Sequence, residues 1–109
     1  VYLSSRTYGG YAITGLNPEP AAYDSAYAVR GIIQERIQGK LKGPHLLWGP
    51  YLWTDGLAGR SDGLVWTCDD VEEDGTHPSR SGVQKVVNQL TTFFKTDPTA
   101  KRWYVARPL

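Results

Sequence analysis

Two stretches of this chain repeat their apolar residues at spacings of three and four. In the first, Ala22, Ala26, Val29, Ile33 and Ile37 make one stripe, which predicts an amphipathic helix of about five turns. Asn17-Pro18-Glu19-Pro20 precedes it and reads as a helix start, with Asn as cap, proline in the first turn and Glu at the positive end. Gly39 or Gly43 stops it, with Lys40 and Lys42 near its negative end. In the second stretch, Val83, Val86, Val87, Leu90, Phe93 and Phe94 fall on one face. Ser79 or Ser81 caps that helix, and Asp97-Pro98 ends it.

The remaining apolar positions predict strands. Residues 1–5, VYLSS, read as a short buried strand that gives way to a loop at Gly9-Gly10. Leu46-Leu47-Trp48 reads as a second strand, interrupted by Gly49-Pro50 because proline has no N–H to donate. Residues 54–73 are rich in Gly, Asp and Ser and predict a long loop, with a short strand at the apolar island Leu64-Val65-Trp66. Arg102-Trp103-Tyr104-Val105 reads as an extended tail. The order of strand, helix, strand, long loop and helix predicts an α/β fold with parallel strands, residues 1–109 forming a single unit. Two or three strands make a thin sheet, and parallel sheets need both faces covered.

Composition narrows the class. The chain has 109 residues, an ordinary globular 40% hydrophobic content, and one cysteine, which excludes an internal disulfide. No apolar run approaches the ~20 residues of a membrane span. There is no methionine and the chain opens Val1-Tyr2-Leu3, which raises the expectation of a processed chain or a piece of a longer one. Charge is uneven: residues 1–54 carry +2, residues 55–74 carry −6, and residues 75–109 carry +5. Lys85, Lys95, Lys101, Arg102 and Arg107 make at most a weak basic patch, and the pI is about 8.0, so no nucleic-acid partner is expected. Four Trp and seven Tyr imply large apolar surfaces to cover, in a core, an interface or a cleft.

One constellation stands out chemically: Asp74-Gly75-Thr76-His77-Pro78-Ser79, a loop running straight into the second helix. A carboxylate three residues before a histidine, with a glycine between them, can curl back to accept the Nδ1 proton. That fixes the tautomer, frees Nε2 as a base and stabilises the imidazolium. The plainer alternative is that Asp74 caps a turn and His77 sits at a helix start.

The block DGTHPS-x-x-G, followed by an amphipathic helix ending Phe-Phe-Lys, resembles the C-terminal block of the SGNH (GDSL-type) hydrolases. The opening LSSRTYGGYA, the first helix and LLWGPYLW resemble the later half of that fold. The resemblance implies an incomplete three-layer, flavodoxin-like parallel sheet. In it Asp74 orients His77, and His77 is the general base of an esterase triad. The family's Gly-Asp-Ser nucleophile block and Gly-x-Asn-Asp oxyanion block are both missing here. Asp24-Ser25 and Arg60-Ser61-Asp62-Gly63 do not replace them. The expectation is therefore the C-terminal portion of a serine ester hydrolase, inactive alone, whose parent cleaves a carbohydrate- or lipid-type ester. The partners this implies are a complementing N-terminal half or a second copy covering an open sheet edge. A secreted or periplasmic bacterial parent is compatible with it.

Other readings stay beside that one. Cys68 can be paired with His77 as a nucleophile, although no cation is placed to activate it. Cys68, Asp69, Asp70, Asp74 and His77 form a conceivable metal set, but their spacing matches no standard zinc or calcium pattern, and neither a metal nor a cofactor is expected. Arg6, at the end of the first strand, is a candidate contact to substrate or to the Asp-His loop. His45 reads as structural. Tyr8, Tyr11, Trp48, Trp53 and Trp66 either line a cleft or pack the core. A non-catalytic carbohydrate-binding or interaction module is the alternative function.

Overall fold

The computed structural model describes residues 1–106. Its elements are β1 (Tyr2–Leu3), α1 (Ala21–Ile37), β2 (Leu47–Trp48), a 3-10 turn (Cys68–Asp70), α2 (Arg80–Thr96) and α3 (Lys101–Tyr104). β1 and β2 pair in parallel, Tyr2 opposite Leu47 and Leu3 opposite Trp48. The architecture is thus a small mixed α/β protein with one two-stranded parallel sheet among the described residues. This corrects the expected three-layer parallel sheet: two strands of two residues cannot form a layer that covers helices on both faces.

The ladder is short. The N–H groups of Leu47 and Gly49 donate to Val1 O at 2.9 Å and Leu3 O at 2.8 Å. Tyr51 is next in that alternation, and among the described residues its N–H donates to no carbonyl of the first strand. The next cross-link comes from a side chain: the Leu52 N–H donates to the Ser5 hydroxyl at 2.7 Å, in a buried position. The strand expected over 1–5 therefore shrinks to Tyr2–Leu3.

α1 follows its predicted span. Its start differs, because Asn17 does not cap it. The Asn17 side chain accepts from Arg6 at 2.5 Å, and Glu19 serves the helix instead by accepting the Tyr23 N–H at 3.0 Å. At the other end Gly39 has φ +74°, which lets the Lys40 N–H reach back to Glu35 O at 2.9 Å. Arg36 then holds the returning chain through the carbonyls of Gly43 and Pro44, at 2.8 and 3.0 Å.

α2 begins at Ser79, as expected for one of two serines, and ends before Asp97. Tyr2 packs against it, its ring centroid 5.2 Å from Phe93 and 6.2 Å from Phe94, both edge-on. The predicted apolar stripe is only partly covered: Val83 and Val87 are 49% and 45% exposed. Arg102-Trp103-Tyr104-Val105 is expected to be extended, but Lys101–Tyr104 forms the short helix α3, whose Trp103 and Tyr104 pack on Phe94 with ring centroids at 5.6 and 5.3 Å. Arg107, included in the weak basic patch, lies outside the described residues.

The core centres on Trp66, 1% exposed, with Leu52, Leu64, Ala12, Ala22, Ala26, Ile33 and Ala100. Leu64-Val65-Trp66 is not a strand. Its backbone folds onto the preceding loop, the Trp66 N–H donating to Gly56 O at 2.9 Å. The indole N–H donates to Leu52 O at 2.8 Å. Arg60 pins the same loop by donating to Tyr51 O at 2.5 Å, Asp62 Oδ2 at 2.6 Å and Gln89 Oε1 at 2.9 Å. Among the described residues, four of the eight buried apolar ones are alanines, so the core is small. The radius of gyration, 15.5 Å, exceeds the ~13 Å typical of a compact chain this long. No helix among the described residues is long and apolar enough to cross a membrane.

Candidate functional site

The Asp74–His77 loop is a closed hairpin. Val71 and Pro78 form an antiparallel bridge, and the Glu72 N–H donates to His77 O at 2.8 Å. Within it, Asp74 does two things at once. Its Oδ1 accepts the backbone N–H groups of Thr76 and His77, both at 2.9 Å. Its Oδ2 pairs with His77 Nδ1. Gly75 makes this curl feasible with φ +66°, and a Cβ there would stand 1.9 Å from Tyr11 O. Only glycine combines that backbone angle with so close an approach. The loop thereby docks on the segment that follows β1.

The electrostatics follow from the contacts. The His77 side chain, followed by the two backbone N–H groups, holds the Asp74 carboxyl down at about 2. Asp74 in turn raises the imidazole above its ordinary value, with a smaller push from Glu72. Nδ1 is engaged by the carboxylate, so Nε2 is the nitrogen left to exchange a proton. The imidazole is open to solvent, its side chain 78% exposed against 47% for Asp74. Among the described residues nothing hydrogen-bonds to Nε2. Asp74 thus caps its turn and contacts His77 Nδ1 at the same time, and His77 lies in the hairpin before Ser79, not at the start of α2.

A second cluster fixes the hairpin to α2. Asp70 is 2% exposed. It accepts from the Thr67 N–H at 2.8 Å and hydroxyl at 2.9 Å, from Ser81 Oγ at 2.8 Å and from Lys85 Nζ at 2.5 Å. Burial pushes this carboxyl up, but Lys85, Thr67 and Ser81 outweigh it and hold it at about 2. Asp70 O also accepts the Ser79 N–H at 2.9 Å, and Gly82 lets α2 approach so closely that a Cβ would lie 2.0 Å from that oxygen. The acidic segment is therefore not uniformly solvated, since Asp70 is an internal anchor. Thr67 and Asp70 form a reciprocal capping box, and the Thr-x-x-Asp spacing was the signal that could have revealed it. Lys85 leaves the weak basic patch. It neutralises Asp70, donates to Val65 O at 2.9 Å and lies 5.8 Å from the Trp66 ring centre.

The other candidates are placed differently. The Ser79 hydroxyl donates to Asp69 O at 2.6 Å, and the Ser81 hydroxyl is shared between Asp70 Oδ1 at 2.8 Å and Asp69 O at 3.1 Å. Cys68 is a free, exposed thiol, with no hydrogen bond to His77 among the described residues. Cys68, Asp69, Asp70, Asp74 and His77 are not gathered as a metal would require: among the described residues no three or more His, Cys, Asp or Glu converge. Arg6 touches neither the Asp74–His77 loop nor a carboxylate. It donates to Leu16 O at 2.6 Å and to Asn17. His45 is exposed. Trp66 belongs to the core, whereas Tyr8, Tyr11, Trp48 and Trp53 are half-buried. Comparison of the chain with family models, curated proteins and solved structures gives no match.

Proposed function

We propose that this chain supplies the base half of a serine-hydrolase triad, with His77 as general base and Asp74 as its orienting carboxylate. The observation that carries the reading is the Asp74 Oδ2 to His77 Nδ1 contact within a hairpin that also satisfies Asp74 Oδ1. In acyl transfer a serine Oγ attacks the ester carbonyl carbon and gives its proton to His77 Nε2. Asp74 stabilises the resulting imidazolium. The proton then passes to the leaving alkoxide, and water repeats the sequence to release the acid. The serine and the oxyanion donors must come from outside these 109 residues, because no Gly-Asp-Ser or Gly-x-Asn-Asp block occurs among them. Exposure of the imidazole agrees with that. A base this open to water lacks the dry, preorganised surroundings that stabilise an oxyanion, and a covering surface would provide them. The resemblance to SGNH hydrolases gives the substrate class as an ester.

The test is the coding sequence upstream of Val1 together with a fluorophosphonate probe. A Gly-Asp-Ser block is expected upstream. The protein containing it should be labelled on that serine and lose labelling on His77→Ala. An upstream sequence without the block refutes the reading, and so does labelling of the 109-residue chain itself.

A further inference from the structure

Half-buried aromatic rings run as a row from the Asp74–His77 hairpin to a hollow beside α1. The Tyr11 carbonyl is the surface on which Gly75 docks. Its ring lies 5.4 Å from Tyr8, Tyr8 lies 6.4 Å from Trp53, and Trp53 lies 4.6 Å from Tyr23, centroid to centroid. Glu19 locks the middle of the row by accepting from the Trp53 indole at 2.8 Å and from the Gly9 N–H at 2.7 Å. The row ends in a hollow of about 240 Å³ lined by Tyr23, Tyr27, Arg30, Trp48 and Tyr51 around Ala26.

We propose that this hollow binds a pyranose ring bearing a carboxylate, that is, a uronic-acid residue of an acidic glycan. Three properties of the hollow select that ligand. Its volume is below the roughly 300–1,000 Å³ of sites for drug-sized ligands, so it takes a single ring. Four of its six lining residues are aromatic, three of them tyrosines. Such side chains are apolar on the face and polar at the tip, which matches a sugar ring with C–H faces and an equatorial belt of hydroxyls. Tyr23 and Tyr27 already pair their hydroxyls at 2.9 Å, which presents a joined donor–acceptor edge. The third property is charge. Arg30 lines the hollow and, like Arg80 and Arg102 among the described residues, has neither a carboxylate nor a carbonyl partner, whereas Arg6, Arg36 and Arg60 are engaged. Of Arg30, Arg80 and Arg102, Arg30 alone lies in the aromatic hollow. A guanidinium with its fork unoccupied is a bidentate receptor for a carboxylate. A neutral sugar leaves that fork empty. An aryl carboxylate fills it but has no ring hydroxyls for the tyrosine edge.

The hollow is separate from Asp74 and His77, so this binding does not rest on the hydrolase reading. If both hold, the aromatic row is the track along which an acidic glycan ester would lie.

The experiment is titration of the full chain with trigalacturonate, cellotriose and 4-hydroxybenzoate, followed by tryptophan fluorescence and by amide chemical shifts. Trigalacturonate should saturate the signal in the millimolar range or tighter, with shifts centred on residues 23–30 and 48–51. Arg30→Gln should weaken it about tenfold or more, as expected for loss of a charge-assisted pair. Tyr27→Ala should weaken it too, and circular dichroism of both variants should match the parent. His77→Ala should bind unchanged. Failure of trigalacturonate to saturate overturns the proposal. So do equal affinity for cellotriose, tighter binding of 4-hydroxybenzoate, an unaltered Arg30→Gln titration, or loss of binding on His77→Ala.

Discussion

Asp70→Asn keeps the shape of a side chain that is 2% exposed and removes its charge. Four donor atoms converge on that carboxylate, Lys85 Nζ among them. The folded carboxyl sits at about 2, against ~3.9 for an unfolded aspartate. A difference of about two pH units at ~1.4 kcal/mol each gives roughly 2–3 kcal/mol at neutral pH. Lys85 keeps 28% exposure, and solvent screening of the pair lowers this to about 2 kcal/mol. The sign follows from a depressed folded value. The stabilisation is complete above pH ~4–5 and is lost as pH falls toward the folded value. Urea unfolding of wild type and Asp70→Asn, read by tryptophan fluorescence, measures it. At pH 7 the variant should lose about 2 kcal/mol, a midpoint shift of about 1–2 M for m near 1–2 kcal/mol/M. At pH 2.5 the difference should fall below about 1 kcal/mol. A pH-independent difference, or a variant as stable as wild type at pH 7, refutes the assignment of Asp70 as a buried charged anchor.

Three further outcomes are expected. Asp74→Asn should return the His77 titration to the ordinary range near ~6.5 from its raised value. It is followed at the ring Cε1 proton by NMR, with His45, the second of two histidines, as the internal control. Gly82→Ala should destabilise by about 1–3 kcal/mol in thermal or urea unfolding, because its Cβ would lie 2.0 Å from Asp70 O. At an open helix position the same change stabilises by about 1 kcal/mol, so the sign alone is diagnostic. Gly75→Ala should shift both His77 and Tyr11 resonances and cost at least about 1–3 kcal/mol, since a positive φ and a backbone carbonyl both oppose its Cβ.

The two long helices were legible because their apolar spacing, a serine cap and an Asp-Pro stop are local signals. The Asp74–His77 contact was legible for the same reason: two intervening residues, one of them a glycine, suffice to form it. Other features were not local. Asn17 has the chemistry of a cap, but Arg6 competes for its side chain from eleven residues away. Asp70 reads as one of a conceivable metal set and Lys85 as part of a weak basic patch, and only the packing of the 3-10 turn against α2 joins them.

The sequence by itself determined where helices run and which carboxylate meets His77, because a periodic stripe and a one-turn curl involve only neighbours along the chain. Tertiary structure decided how little sheet forms: beyond Gly49 the next cross-link to the first strand's chain runs from the Leu52 N–H to the Ser5 side chain, not to a backbone carbonyl. It also decided that Asp70 is an anchor, that Arg6 serves a loop, and that Tyr11, Tyr8, Trp53 and Tyr23 make one row ending in the hollow that Arg30 lines. These depend on which distant segments meet, and no spacing along the chain records that.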